Sequence, residues 1–484
     1  MNVLLRTRKT LKEEEKMGIK IFGILLTNRN SCDKIGGCAK KCFLTRDFHL
    51  ERDSMGLSIV IAVATCLAMI FVVLFFPKIN IGRFSLGSYW VVTIVGAVLL
   101  LLMGAVDIGD VGAALLADTA INPLKILVLF ISMTVLSIFL DELGFFRYLA
   151  SVTLRKAGHS QMRLFLILYI TVSVLTVFTS NDIIILSFTP FICYFAKNAH
   201  ISPIPYLAAE FVAANTWSME LIIGNPTNIY LVTAAGGDFV SYLAIMMIPT
   251  LVSGLVAFLC LYLLFHKKLS QPIDATPEDV KIEDRLSLIV GLAHLGVCTV
   301  LLAIGSYIGL DMWIVSLVSA LSLLTFTVVL SVIRKEVPTH TKACLKRAPW
   351  ELIPFILSMF VVVEALHTNG VTDLVYGMLS GSASVWTYGI TSFLSANLIN
   401  NIPMSVLYSA ILSGGASSAA VYATVIGSNL GACLTPIGAL AGIMWSTILK
   451  EHHLKFSYAD FLKIGTTVAV PSLIAALGTL SLVF

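Results

Sequence analysis

Long apolar segments recur along this chain from Met55 to its C-terminus at Phe484. Many of them approach the roughly 20 residues that one helix needs to cross the hydrocarbon core of a bilayer. Only 12% of the 484 residues are charged, whereas soluble domains carry about one quarter charged residues. The short alternating segments typical of transmembrane barrels do not occur. The sequence therefore predicts an all-α integral membrane protein of about 10–12 helical segments.

Polar interruptions divide these apolar segments at two places in each half of the chain. They read TSNDI at Thr179–Ile183, GNPTN at Gly224–Asn228, NNIP at Asn400–Pro403 and GSNLG at Gly427–Gly431. Interrupted hydrophobic segments at corresponding places in two halves are typical of secondary transporters and mark their binding sites. The sequence therefore predicts two inverted repeats, each with a re-entrant hairpin and a broken helix. Independent kinks satisfied by neighbouring Ser or Thr are the alternative, but they explain a matched set less well.

The apolar pattern also divides the chain into predicted parts. These are a polar N-terminal tail (1–54), a first transport repeat (55–266), a cytoplasmic linker (267–285) and a second transport repeat (286–484). Basic residues concentrate in loops that fall on one side, which the positive-inside rule makes cytoplasmic. The same parity places the basic tail outside the cell. We therefore expect Met55 to be the native start, and the sidedness of the N-terminus stays open.

The interruptions gather amide and hydroxyl side chains at positions where lipid-exposed backbone would lack hydrogen-bond partners. The predicted substrate-binding or ion-binding residues are Ser180, Asn181, Asp182, Asn225, Thr227, Asn228, Asn400, Asn401, Ser428 and Asn429. The residues predicted to break the helices are Gly224, Pro226, Pro403, Gly427 and Gly431. Half-helix ends also free N–H and C=O groups, which become ligands for a substrate or an ion. The sequence therefore predicts one central polar site built from both halves.

Asp182 is the one charged residue inside an interruption. A carboxyl group at membrane depth is a functional-site hypothesis by default. Asp182 is therefore predicted to bind the coupling ion, H⁺ or Na⁺, and Glu220, close to GNPTN, is a second candidate. The alternative for Asp182 is a structural acid at the start of the hairpin arm. Asp141 and Glu142, which end an apolar segment, are read either as an entry-side acid pair or as ordinary helix-end acids.

Several functional classes find no support in the sequence. Nucleic-acid binding lacks a basic face or an aromatic platform. The apolar region contains no catalytic constellation, nucleotide loop or metal-ligand cluster, so we predict no enzyme, no cofactor and no metal site. The tail cysteines Cys32, Cys38 and Cys42 fit no zinc spacing and are read as unrelated thiols rather than as a metalloid sensor. Cys433 is read as a packing residue, with arsenic ligation as the alternative.

At these residues the chain resembles the arsenite permease family of the arsenical-resistance B type. That family lies within an ion transporter superfamily that also contains Na⁺/H⁺ antiporters and dicarboxylate carriers. The resemblance covers residues 56–484, and its matching stretches are FLDELGFFRYLA, TSNDIIILSFTPFI, LKRAPWELIPFILSMFVVVEAL, NNIPMSVL and AVYATVIGSNLGACLTPIGALAGIMW. It implies two inverted repeats that meet at a central site. It also implies export of arsenite or antimonite in exchange for protons, across a prokaryotic plasma membrane.

The resemblance leaves alternatives open. Arsenite permeases tend to carry an acid and a lysine in the last interruption, where this chain has the uncharged Ser428 and Asn429. We expect metalloid efflux first, carriage of small carboxylates or other anions, Na⁺-coupled or not, second, and Na⁺/H⁺ exchange third. The expected partners are the lipid bilayer and a small metalloid, oxyanion or other anion. The resemblance also allows an ATPase subunit and a homo-oligomer.

Overall fold

The computed structural model describes the residues 37–76, 78–81, 84–118, 122–273, 281–380 and 384–484. The chain divides into two compact units, Met1–Leu57 and Ser58–Phe484. Most of the predicted N-terminal tail lies outside the described residues. Its cysteines, Cys32, Cys38 and Cys42, lie outside the described side chains.

The first half of the chain contains ten described α-helices and one short β-hairpin. They are α1 (Gly37–Phe75), β1 (Lys78–Ile81), β2 (Phe84–Gly87), α2 (Ser88–Leu102), α3 (Ile108–Leu116), α4 (Pro123–Glu142), α5 (Phe145–Ala157), α6 (Gln161–Phe178), α7 (Asn181–Asn198), α8 (Ile204–Trp217), α9 (Pro226–Ala234) and α10 (Phe239–Leu269). The two strands pair antiparallel, with Lys78 opposite Gly87. A single 3-10 turn at Ile222–Gly224 lies between α8 and α9.

The second half of the described chain is again helical. Its helices are α11 (Arg285–Ile308), α12 (Met312–Arg334), α13 (Thr339–Arg347), α14 (Leu352–Thr368), α15 (Val371–Leu379), α16 (Ser384–Ile399), α17 (Asn401–Leu412), α18 (Ser418–Gly431), α19 (Leu440–Glu451) and α20 (Tyr458–Val483). A helical hairpin followed by an interrupted helix occurs in both halves, as α6–α9 and as α16–α19. The shared order agrees with the predicted repeats, and their inverted relation stays a prediction.

Eight described helices are long and apolar enough to cross a membrane. The candidate spans are Ser54–Val73, Pro123–Glu142, Gln161–Phe178, Phe239–Leu269, Arg285–Gly305, Met312–Arg334, Thr339–Thr368 and Tyr458–Val483. Most of them expose apolar side chains on one side, as lipid contact requires. By contrast, α8 is buried from Pro205 to Thr216 and α18 from Ala419 to Gly431. The prediction of an all-helical membrane protein is confirmed, and α8 and α18 form its centre.

The predicted interruptions at TSNDI and NNIP turn the chain between the two helices of each hairpin. Thr179 follows α6 with an extended backbone, and α7 begins two residues later. Asn400 joins α16 to α17 with φ of 72° and ψ of 151°, a backbone conformation that is rare for residues other than glycine. Pro403 lies in the first turn of α17, where its missing N–H leaves no helical bond unmade.

The interruption at GNPTN extends further back than the sequence indicates. The chain leaves α8 after Trp217, and α9 begins at Pro226 with the Asn225 side chain as its N-cap. Asn225 Oδ1 accepts a hydrogen bond from the backbone N–H of Thr227 at 3.2 Å. Proline suits the first helical position because its fixed φ matches the helix. Pro226 therefore starts α9 rather than breaking a helix.

Within GSNLG, Gly427 does not break a helix, because α18 continues to Gly431, its last residue. The interruption follows directly, at 432–439. A Cβ on Gly427 would lie only 2.0 Å from Ser392 Oγ of α16, and one on Gly431 only 2.8 Å from the Phe393 carbonyl oxygen. Small residues allow membrane helices to approach closely. These glycines therefore pack α18 against α16, and Pro436 lies in the actual interruption.

Candidate functional site

The side chain of Asn429 in α18 is bound by residues of the first interrupted helix. Its Oδ1 accepts hydrogen bonds from Asn225 Nδ2 and from Ser218 Oγ, both at 2.9 Å. Its Nδ2 donates to Asn228 Oδ1 at 2.7 Å and to the Val425 carbonyl at 2.9 Å. Both donor hydrogens and the acceptor of the amide are therefore used. Asn429 joins the two halves of the chain at the interruption between α8 and α9.

Further hydrogen bonds hold that interruption in shape. Asn228 Nδ2 donates to the carbonyls of Ser218 at 2.8 Å and Leu221 at 3.1 Å. Ser218 directly follows α8, whose end leaves carbonyls without helical partners, whereas the Leu221 carbonyl also accepts a hydrogen bond from the backbone N–H of Gly224 at 3.1 Å. A Cβ on Gly224 would lie 2.3 Å from the Ser218 carbonyl oxygen. Glycine is therefore required there, because the chain folds back on itself without room for a side chain.

The start of α7 joins the same cluster through Asn215, which is in the last turn of α8. Asn181 Nδ2 donates to Asn215 Oδ1 at 3.1 Å, and Asn215 Nδ2 donates to the Phe211 carbonyl at 2.8 Å. Both asparagines are buried. We call the residues Asn181, Asn215, Ser218, Asn225, Asn228 and Asn429 the amide cluster. Four of the predicted site residues are thus brought together.

The turn between α16 and α17 holds the second interruption. Asn400 Nδ2 donates to the Ile437 carbonyl at 2.8 Å, and the backbone N–H of Asn401 donates to the Gly438 carbonyl at 2.9 Å. Asn397, one turn earlier, accepts a hydrogen bond from Thr435 Oγ1 at 2.7 Å. Among the described residues, no hydrogen bond joins Asn400 or Asn401 to the amide cluster. The predicted site therefore consists of two separately bonded parts.

Polar atoms without partners remain in and beside the predicted interruptions. In the described part of the chain, they are Ser180 Oγ, Asn181 Oδ1, Thr227 Oγ1, Asn401 Oδ1 and Ser428 Oγ, and each is buried. Buried polar atoms in native proteins are nearly always hydrogen-bonded, so each exception calls for an explanation. A small bound molecule with hydroxyl groups would supply the missing partners. This is a property of the predicted site that its composition alone did not show.

The two candidate coupling acids occupy different positions. Asp182 lies in the first turn of α7 and is half-buried. A carboxylate there is favoured by the positive end of the helix dipole. Glu220 lies between α8 and α9, is 9% exposed, and its Oε2 has no hydrogen-bond partner among the described residues. Neither acid belongs to an ion pair in the described part of the chain.

The acids Asp141 and Glu142 at the end of α4 are ion-paired. Arg347 Nη2 donates to Asp141 Oδ2 at 2.7 Å, and Arg347 Nη1 donates to Glu142. Ser187 Oγ of α7 donates to Asp141 Oδ1 at 2.6 Å. Arg347, the last residue of α13, thus connects the second half of the chain to α4 and, through Asp141, to α7. The pair is a structural junction in this conformation.

The sequence analysis missed Asn215, Ser218, Asn397 and Thr435. Asn215 and Asn397 each lie in the last turn of a helix that precedes an interruption. A search of those last turns for amides would have found both. Cys433 is a buried free cysteine directly after α18, so its two interpretations stay open. No group of three or more His, Cys, Asp or Glu placed to hold a metal occurs among the described residues.

The chain is similar to known membrane proteins over most of its length. The family model CitMHS, described as citrate transporter, matches residues 84–425. The arsenical pump membrane protein of Escherichia coli (strain K12) is 30% identical over 423 residues, which cover 82% of this chain and 94% of that protein. The arsenical pump membrane protein of Yersinia enterocolitica is 29% identical over 378 residues, which cover 73% of this chain and 85% of that protein. The fold is shared with the crystal structure of the Alcanivorax borkumensis YdaH transporter, which is described as having an unusual topology. The TM-score is 0.51 at 14% sequence identity, and the match covers 89% of this chain and 97% of that chain.

Proposed function

We infer that this chain, which belongs to the CitMHS citrate transporter family, carries arsenite or antimonite out of the cell. It is a multi-pass membrane transporter and not an enzyme, because the family is a class of membrane transporters. Relatives at about 30% identity are named arsenical pump membrane proteins. These names support a metalloid substrate, and the chemistry of the site supports it independently.

The observation that carries the proposal is the set of unpartnered buried oxygens around the amide cluster. Arsenous acid is neutral at physiological pH and presents hydroxyl groups that both donate and accept hydrogen bonds. Ser180 Oγ, Thr227 Oγ1 and Ser428 Oγ are buried hydroxyls that lack partners among the described residues. They can exchange hydrogen bonds with such a molecule without placing a net charge in a low-dielectric site. No lysine or arginine lies in any of the four predicted interruptions.

Proton exchange is the proposed source of energy. Asp182 lies beside Ser180 and Asn181 at the start of α7, and a carboxyl there can bind either a proton or the substrate, but not both at once. Competition of this kind would make proton entry release the metalloid on the outer side. Alternating access then requires the two hairpins to open the site to one side at a time, as broken-helix transporters do.

A small carboxylate is the second candidate, and the family description favours it. No side chain caps the first backbone N–H groups of α7, which begins at Asn181 in the cluster, and such groups bind anions. A multiply charged anion such as citrate would lack a cationic side chain, so it would require Na⁺ at the site. Na⁺/H⁺ exchange through Asp182 is the third candidate. An ATPase subunit and a second copy of the chain belong to the proposal as partners, and copurification from native membranes tests both.

Transport in everted membrane vesicles tests the proposal. We expect vesicles from cells without their own exporter to accumulate arsenite when a proton gradient is imposed, and Asp182→Asn to abolish the gradient dependence. Ser428→Ala should raise the KM for arsenite about fivefold, since one hydrogen bond contributes about 1 kcal/mol. Ser446→Ala is the matched control, because that hydroxyl bonds the Gly442 carbonyl within α19 at 2.8 Å. Citrate uptake without arsenite uptake would replace the first candidate with the second.

A further inference from the structure

A second buried carboxyl lies away from the predicted site. Glu210 is in the middle of α8, where its side chain is 0% exposed. None of the ion pairs among the described residues includes it. It precedes Asn215 by more than one helical turn, and the amide cluster does not contain it. Glu210 therefore has no role in the site described above.

The two oxygens of Glu210 have different surroundings. Thr189 Oγ1 of α7 donates to Glu210 Oε1 at 2.8 Å. The indole of Trp445, on α19, faces the carboxyl, yet neither Glu210 Oε2 nor Trp445 Nε1 completes a hydrogen bond with a described residue. The thiol of Cys193 on α7 is the titratable group nearby. Glu210 is therefore hydrogen-bonded to α7 and lies near the indole of α19. The donor Trp445 Nε1 and the acceptor Glu210 Oε2 are both left without a partner among the described residues.

An ionised carboxylate in this position would be poorly compensated. It would have a single hydroxyl donor and no cation, in an environment where burying a lone charge is costly. A proton on Oε2 removes that charge and leaves the Thr189 hydrogen bond intact. A small approach of α19 toward α8 would instead let Trp445 Nε1 donate to Oε2. The ionised form would then have two charge-assisted hydrogen bonds, which are stronger than neutral ones.

We propose that Glu210 is a second proton-binding site, which holds a proton on Oε2 in this conformation and releases it when Trp445 moves within hydrogen-bonding distance. The released proton passes to water admitted by that movement, and a proton from water restores the acid when the helices return. The inference rests on the proposed proton coupling and extends it. Glu210 links that coupling to α19, which follows the second interruption, whereas Asp182 acts at the start of α7.

Infrared spectra of the full chain in liposomes test the protonation directly and require no substrate. We expect the C=O stretching band of a buried protonated carboxylic acid near neutral pH. That band should be absent in Glu210→Gln, shifted in Thr189→Val and unchanged in Glu364→Gln, a half-buried acid of α14. Absence of a band that depends on Glu210 overturns the proposal, whatever the substrate proves to be.

Transport by the same preparations tests the role in coupling. Glu210→Gln should keep arsenite counterflow at wild-type rates and lose accumulation driven by a proton gradient, whereas Glu210→Asp should retain part of it. Trp445→Phe, which keeps the ring packing against Phe211, should shift the pH profile. Gradient-driven accumulation by Glu210→Gln equal to wild type refutes the coupling role. If wild type moves no arsenite, the proposed function fails, and the infrared result still decides whether Glu210 holds a proton.

Discussion

Replacing Asn429 with alanine should destabilise the whole transporter. The change removes the partner of Asn225 Nδ2 and of Asn228 Oδ1, whereas Ser218 Oγ can still donate to the Asn215 carbonyl at 2.9 Å. Each buried group left without a partner costs about 1–3 kcal/mol, so the sum for the two groups is about 2 kcal/mol at the lower limit. Relaxation of the neighbours lowers this value, and a cavity raises it. We expect a clear fall in the unfolding midpoint of the detergent-solubilised protein.

A double-mutant cycle isolates the bond between the halves. Asn228→Ala alone also breaks the pair, so Asn228→Ala added to Asn429→Ala should cost less than it does in wild type. The control is Asn198→Ala, an exposed residue of α7, which should leave the midpoint unchanged. Thermal unfolding followed by intrinsic fluorescence measures all five proteins, which are wild type, the two single variants, the double variant and the control. The amide cluster does not join the halves as described if Asn429→Ala has the same unfolding midpoint as Asn198→Ala. The same conclusion follows if the effects of Asn228→Ala and Asn429→Ala on stability simply add in the double variant.

Two further predictions concern the periphery and the helix packing. Burial acts to raise the pKa of Asp284, but the hydrogen bonds from Arg334 and Ser287, together with the charge of Arg334, outweigh it and lower that pKa from 3.8 to about 2. The ion pair contributes less than about 1 kcal/mol to the free energy of unfolding, because it is partly exposed. This contribution is fully present above pH 3.8 and is lost as the pH falls toward about 2. The difference in unfolding midpoint between wild type and Asp284→Asn should therefore vanish with acidification. Gly427→Ala should lower the midpoint, because its Cβ would lie 2.0 Å from Ser392 Oγ. At Gly478 a Cβ would meet nothing within 4 Å, so Gly478→Ala should raise the free energy of unfolding by up to about 1 kcal/mol.

The hairpins were predictable because their signals are local. Asn181 and Asn400 follow apolar segments of helical length and precede short apolar arms, so the interruptions at TSNDI and NNIP are visible in the sequence. The second interruption was placed too early because glycine has two uses in membrane helices. Gly427 looks like a break, but it permits contact with α16, and that contact involves residues far away in sequence. No local pattern distinguishes the two uses.

The composition of the site was predictable, but its pairing was not. Amides gathered in interruptions indicated a polar centre, and the structure brings Asn225, Asn228 and Asn429 together. Which amide donates to which depends on how the two halves pack. The same holds for Asn215, since it lies within a regular helix and becomes part of the cluster through its hydrogen bonds with Ser218 and with Asn181 of α7. Tertiary contacts therefore decide the members of the site.

The bonds of Asn429 also affect the order in which the protein can be made. Asn225 and Asn228 precede it by 204 and 201 residues, so the ribosome delivers them to the membrane long before their partner exists. During that interval their polar groups lack their final partners, in surroundings where such groups are costly. The first half must therefore stay in contact with water, with the insertion machinery or with a helper protein until α18 emerges. A chain truncated before α18 would lack Asn429 and so leave Asn225 Nδ2 and Asn228 Oδ1 without the partner they have in the complete fold.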